Sequence, residues 1–288
     1  MTIALLDGLL QIFDVDHGQC ALLTIPSPSG TRRVMIDCGH SVNFNGTGKP
    51  WYPGAHLQSI GVNWIDLLIA TNYDEDHMSG FPDLMTRNIG IGCILGNPTV
   101  TPETIVHLKT EDGMGEGIKQ LAKVLAVRRD IKWIQTPPVI QGLNLSYFWN
   151  PYPYFDDENN LSLVALLTIQ GIKFLFPGDL EKKGFLHMLG TSQAFGNAVS
   201  GVHVLVASHH GRRNGICDDM FDVHGCNPSI VVISDDYKQH DTQETTSYYS
   251  RKVRGIGWFR REGPRYVLTT RRDKEIRFSL SNGGALVW

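Results

Sequence analysis

The stretch Ile65-Asp66-Leu67-Leu68-Ile69-Ala70-Thr71-Asn72-Tyr73-Asp74-Glu75-Asp76-His77 decides how this chain is read. Its first half, residues 65–71, is a continuous apolar run of the kind that forms a strand buried on both faces. Its second half sets Asn72, Asp74, Asp76 and His77 directly beyond that strand, before a helix start in MSGFPDLM. Carboxylate and imidazole groups are costly beside a buried strand unless something offsets their desolvation, and a shared metal ion does so. The alternative for these residues is an acidic helix N-terminus favoured by the helix dipole.

Working outward, the same arrangement recurs. The apolar run at 172–177 is followed by Gly178 and Asp179, that at 202–207 by His209 and His210, and that at 229–234 by Asp235, Asp236 and later His240. Singly, a Gly-Asp pair is a turn and a His pair is surface; four such clusters at strand ends point to one convergent site. Neighbouring loop residues can face different ions, so Asp76 and His77 are expected to serve one metal, and Asp74 with the Asn72 amide oxygen a second. Two ions about 3.5–4 Å apart need a bridging carboxylate, here Asp179, and lower the pKa of a shared water toward ~7, giving a hydroxide nucleophile.

The remaining pattern is mixed α/β without repeats or a linker, and a single domain over 1–288 is expected. Strands at 10–15, 20–25 and 33–37 read as an opening antiparallel meander, followed by a loop at 39–54 and a short helix in HLQSIGV. Further strands are expected at 144–149 and 161–169, and helices near 114–127, 180–189 and 243–253. A charge of −3 and a charged fraction of 19% exclude a strongly basic nucleic-acid binder on average. Residues 251–277, however, carry a net +7, with Trp258, Phe259 and Tyr266 interleaved. This fits a surface that tracks a polyanion, with Arg271 and Arg272 as candidate substrate-binding residues; the alternative is a solvated hairpin in YVLTTRRDKEIRFSL. Five cysteines without a C-x-x-C pair read as buried thiols in a reducing compartment. Without a basic leader or a run of roughly 18–20 apolar residues, a soluble cytoplasmic protein is expected.

The ordered motifs resemble the metallo-β-lactamase superfamily, and within it the nuclease-like domain of the ComEC/Rec2 DNA-uptake proteins. The stretches that carry the resemblance are Asp14 to Gln19, Met35 to Gly39, Thr71 to Gly80, Asn160 to Val164, Phe176 to Asp179 and Ser208 to Gly211. It implies an αββα four-layer sandwich with the site at one edge, and phosphodiester hydrolysis by a metal-bound hydroxide. Asp76, His77, Asp179 and one of His209 and His210 carry over as metal ligands. Asn72 stands where the superfamily has a first histidine, Asp74 replaces the middle one, and near the usual mid-chain histidine there are only Asn159 and Asn160. One position is therefore oxygen-rich, which favours manganese, with zinc as the other candidate.

His240 is the candidate general acid beside Asp76 and Asp179 as catalytic residues. His17 and His40 stand either behind the ligands or in loops. The expected partner is a nucleic acid or nucleotide phosphodiester. The alternatives are hydrolysis of a small ester, lactone or amide, and a catalytically weak metal-binding or regulatory module.

Overall fold

Alternation of apolar side chains sets the layers. Along Ile276–Ser281 buried and half-buried residues alternate strictly, the signature of a strand with one face on a core. Along Leu163–Ile169 and Trp64–Ile69 both faces are buried, so each of those strands lies between two layers. The computed structural model describes residues 8–110, 113–133, 136–236, 244–281 and 284–288.

In chain order the strands are β1 (Gly8–Ile12), β2 (Cys20–Ile25), β3 (Arg32–Cys38), β4 (Trp64–Ile69), β5 (Gly90–Leu95), β6 (Leu143–Trp149), β7 (Leu163–Ile169), β8 (Ile172–Phe176), β9 (Val204–Val206), β10 (Ile230–Ile233), β11 (Ile256–Trp258), β12 (Pro264–Arg265), β13 (Val267–Thr269), β14 (Ile276–Ser281) and β15 (Gly284–Val287). They form a sheet ordered β15-β14-β1-β2-β3-β4-β5, a second ordered β13-β10-β9-β8-β7-β6, and a small β11-β12 ribbon. Residues of alternating phase from both large sheets, such as Leu10, Ile36 and Phe278 from one and Leu167, Phe174 and Val232 from the other, form the buried layer between them. Phe174 and Phe278 meet edge to face across it at 5.3 Å.

The helices cover the outer faces. On the first sheet lie α1 (Pro53–Ser59), α2 (Glu75–Met78), α3 (Phe81–Thr86), α4 (Pro102–Leu108) and α5 (Glu116–Asp130), packed through Leu57, Phe81, Ile105 and Leu121. On the second lie α6 (Lys182–Thr191), α7 (Gln193–Ser200), α8 (Asp218–Asp222) and α9 (Thr246–Ser250), packed through Phe185, Phe195, Met220 and Tyr249. The result is the four-layer αββα sandwich.

The opening meander is observed, β1, β2 and β3 pairing antiparallel. The loop expected at 39–54 ends slightly early, because Pro53 opens α1, where its missing N–H costs nothing. The segment YVLTTRRDKEIRFSL is not a hairpin. β13 pairs with β10 in the second sheet and β14 with β1 in the first, and α10 (Thr270–Asp273) makes the crossing. All five cysteines are buried, and no described helix is long and apolar enough to cross a membrane.

Candidate metal centre

β3 runs parallel to β4, and β8, β9, β10 and β13 run parallel to one another, so within each sheet the carboxyl ends of these strands lie at one edge. That is where open α/β sheets gather functional side chains. Asp37 closes β3, Asp76 and His77 sit on α2 after β4, Asp179 follows β8, and His209 and His210 follow β9. The loop after β4 reaches inward because Gly18 and Gly39 leave room for it. A Cβ at either position would lie 2.5 or 2.4 Å from the Asp76 carbonyl oxygen, so the opening motif and the one ending at Gly39 are needed for close approach.

Four side chains converge. His77 Nε2 lies 3.0 Å from Asp179 Oδ1, and His210 Nε2 lies 3.1 Å from Asp76 Oδ2 and 3.5 Å from Asp179 Oδ2. One donor atom each from His77, Asp179 and His210 falls within a 4.8 Å span, as does one each from His17, Asp76 and His210. Both imidazoles, His77 and His210, are oriented from behind. His77 Nδ1 faces the fully buried Asp37 carboxylate at 2.9 Å, and His210 Nδ1 faces the Ser234 carbonyl at 3.0 Å. With Nδ1–H donating to these acceptors, Nε2 of each ring turns a lone pair toward the shared centre, the arrangement that fixes histidine ligands in metal sites. Sequence marks Asp37 only as part of the stretch from Met35 to Gly39; its role depends on proximity to a histidine 40 residues away.

The residues fit a divalent ion. His210 Nε2 is buried without a hydrogen bond, although carboxylate oxygens surround it. Two imidazole nitrogens and two carboxylates form a donor set suited to zinc or manganese. The electrostatics agree in direction. Burial alone would raise the Asp179 carboxyl, but the charges of His77 and His210 hold it well below the ordinary range. Burial would lower His210, yet Asp179 and Asp76 push it up to about 10. Carboxylates that hold protons so firmly on these rings would hold a divalent cation in their place, so proton and metal compete for the centre.

His209 and His210 are separated by this geometry. Both have left-handed backbone, at φ 50° and 51°, which is strained for side-chain-bearing residues. His210 enters the cluster, while His209 Nε2 stands 3.9 Å from Asp179 and accepts a hydrogen bond from Arg212 Nη1 at 3.2 Å. Arg212 Nη2 donates to His17 Nε2 at 2.9 Å. Burial, with the charge of His210, lowers His17 to about 4, so at neutral pH its ring is uncharged and can accept that bond. Among the described residues no carboxylate pairs with Arg212. His40 lies outside the cluster, stacked on Tyr52 at 5.0 Å.

Asn72 and Asp74 do not join the four. Asn72 Oδ1 accepts from the Asp74 backbone N–H at 2.7 Å, and its amide nitrogen donates to Ser162 Oγ at 3.0 Å. Asp74 is paired with Lys109. The oxygens of Asn72 and Asp74, expected to face a second ion, are taken by their neighbours, and the assembled donors are the two groups that share His210. Arg271 pairs with the buried Asp235, whereas Arg272 is 66% exposed with Glu262 at 3.3 Å. Both sit on α10, at the carboxyl end of β13 and so on the edge that carries the cluster. His240 lies outside the described residues.

No family model matches the chain. In sequence it is similar to ComE operon protein 3 of Bacillus subtilis (strain 168), 23% identical over 243 residues, covering 79% of this chain and 28% of that protein. The chain thus spans under a third of that relative's length. In structure it is similar to a mutant of the β-hydroxylase CmlA, with a TM-score of 0.50 and 12% identity over 95% of this chain and 54% of that one. It also matches the Rm3 metallo-β-lactamase at a TM-score of 0.34 and 12% identity, over 68% and 76% of the two chains.

Proposed function

We propose that the chain, an αββα sandwich similar in sequence to ComE operon protein 3, is a metal-dependent hydrolase of the metallo-β-lactamase fold that cleaves phosphodiesters, in a nucleic acid or a nucleotide. The observation that carries the reading is the meeting of His77 and Asp179 on one side, and of Asp76 on the other, at His210, with the Arg212 guanidinium bonded to His17 and His209 beside them. When bound, a divalent ion supplies Lewis acidity and makes a water a nucleophile near neutral pH. Asp76, His77, Asp179 and His210 would hold it, with Asp37 and the Ser234 carbonyl fixing the two rings. Arg212, free of carboxylates among the described residues, offers donors to the oxygens of an anionic phosphoryl group, where charge builds during attack. Arg272 extends the cationic edge toward a longer polyanion. Five buried cysteines without a C-x-x-C pair favour the cytoplasm as the place of action.

The test is cleavage of single- and double-stranded DNA and of bis-p-nitrophenyl phosphate by purified protein with added manganese or zinc. Metal-dependent cleavage that disappears in Asp179→Ala is expected. Bound metal without cleavage of any of these phosphodiesters would reject the reading and leave the small-ester or regulatory alternatives.

A further inference from the structure

The loop that delivers Asp76 and His77 to the centre turns Asp74 toward a lysine. Lys109, just beyond α4, has a side chain only 6% exposed, and its Nζ bonds both Asp74 Oδ1 and Glu158 Oε1. A buried ammonium is costly unless paired, and two carboxylates meet that cost here. Burial would lower this amine, but its bonds to Asp74 and Glu158 raise it instead, so it is charged.

These surroundings are the ones the loop spacing would give to a second ion. Asn72 donates to the Glu158 carbonyl at 3.3 Å and lies 3.5 Å from Asn159 Oδ1. Its own amide oxygen is occupied by the Asp74 backbone N–H. Asp74 is the residue that opens α2, two positions before Asp76 and three before His77.

We propose that Lys109 is the second cation of this centre, a fixed positive charge held by Asp74 and Glu158 that restricts the protein to one divalent ion. The inference rests on the metal-centre reading above. It makes the lysine a positioning and charge-compensating group: unlike a metal, it cannot be washed out or exchanged. Its chemistry is that of a hydrogen-bond donor.

Ions per chain decide it. Stripped protein is titrated separately with manganese and with zinc, stoichiometry is read by calorimetry and elemental analysis, and the manganese form by electron paramagnetic resonance. Wild type is expected to bind one ion and to show an isolated-manganese spectrum. Lys109→Met, which keeps the packed alkyl stem, is expected to bind two, with the exchange-coupled spectrum of a close pair, and Lys109→Arg to stay at one. Adding Asp74→Asn to Lys109→Met should return the count to one. Two ions in wild type, or one in a folded Lys109→Met, would overturn the proposal. No ion in wild type would overturn the metal centre itself and the proposal with it, a result distinct from the other two. Should Lys109→Met fail to fold, Lys109→Gln, which also removes the ammonium, takes its place, and one ion in folded Lys109→Gln would likewise overturn the proposal.

Discussion

Replacing Asp37 by Asn tests whether the centre depends on the proton of one ring nitrogen. Asp37 Oδ2 accepts from His77 Nδ1 at 2.9 Å and from the Thr71 hydroxyl, and Oδ1 accepts from the Thr71 backbone N–H at 2.7 Å. This carboxylate has three donors around it and offers none. An asparagine must turn its amide N–H groups either toward the Thr71 backbone, opposing two donors in a buried site, or toward His77 Nδ1. The second choice keeps the backbone paired but makes Nδ1 an acceptor and moves the ring proton to Nε2, the atom 3.0 Å from Asp179. Outer partners of ligand histidines are worth ~10–100-fold in metal affinity, or about 1.4–2.8 kcal/mol. Because the Thr71 hydroxyl can rotate to accept, the folding cost stays near ~1–2 kcal/mol, a fall of about 2–6 °C in Tm. Calorimetric titration of both proteins with zinc or manganese, with melting curves alongside, is the assay. A Kd within about twofold of wild type would refute the reasoning, because the tautomer of His77 would then not govern binding.

Arg212→Ala should leave metal content unchanged while lowering kcat/KM toward phosphodiesters by ~10²–10³, as removal of a charge-stabilising donor does; loss of metal instead would make it structural. Arg271→Ala should lower Tm, because it strips a partner from Asp235, only 1% exposed, whereas Arg272→Ala should leave Tm alone and reduce the salt dependence of DNA binding in a filter assay. Burial lifts the Asp14 carboxyl from 3.8 to about 6 despite Lys274 at 3.4 Å. The folded state therefore holds that proton more tightly than the unfolded one. The resulting penalty is absent below pH 3.8, grows up to about 6 and is constant above it. The stability of Asp14→Asn relative to wild type should rise across that window, and a flat difference in Tm would contradict it. Phe278→Ala, which removes a ring packed edge to face on Phe174 between the sheets, should cost about 3–5 kcal/mol in denaturant unfolding.

What could be read from sequence was whatever repeats locally. The strands β4, β8 and β9 announce themselves as apolar runs, and each is followed by the residues that build the centre. β5 escaped because glycines at 90 and 92, on which the Trp64 ring lies, break its apolar run. The false hairpin arose because period-2 alternation specifies a face but not a sheet, and β13 and β14 alternate within different ones. Asp76, His77, Asp179 and His210 were legible as residue types at strand ends. Which histidine of the pair turns inward was not, since that follows from the Ser234 carbonyl 24 residues away. Lys109 gave no signal at all: its partners lie 35 residues before it and 49 after, and nothing local marks a lysine as buried.

The first strand waits longest for its neighbour. β1 lies between β2 and β14, and Gln11 donates to Glu275, 264 residues later, across that seam. On the ribosome, at ~5–20 residues per second, β1 spends roughly 13–50 s with one row of backbone groups open to any passing strand. The side chains that would hold the ion have by then all been made, but the sheet that carries Asp37 and the α2 loop is not yet closed. A nascent chain stalled before β14 is therefore the form most exposed to misassociation.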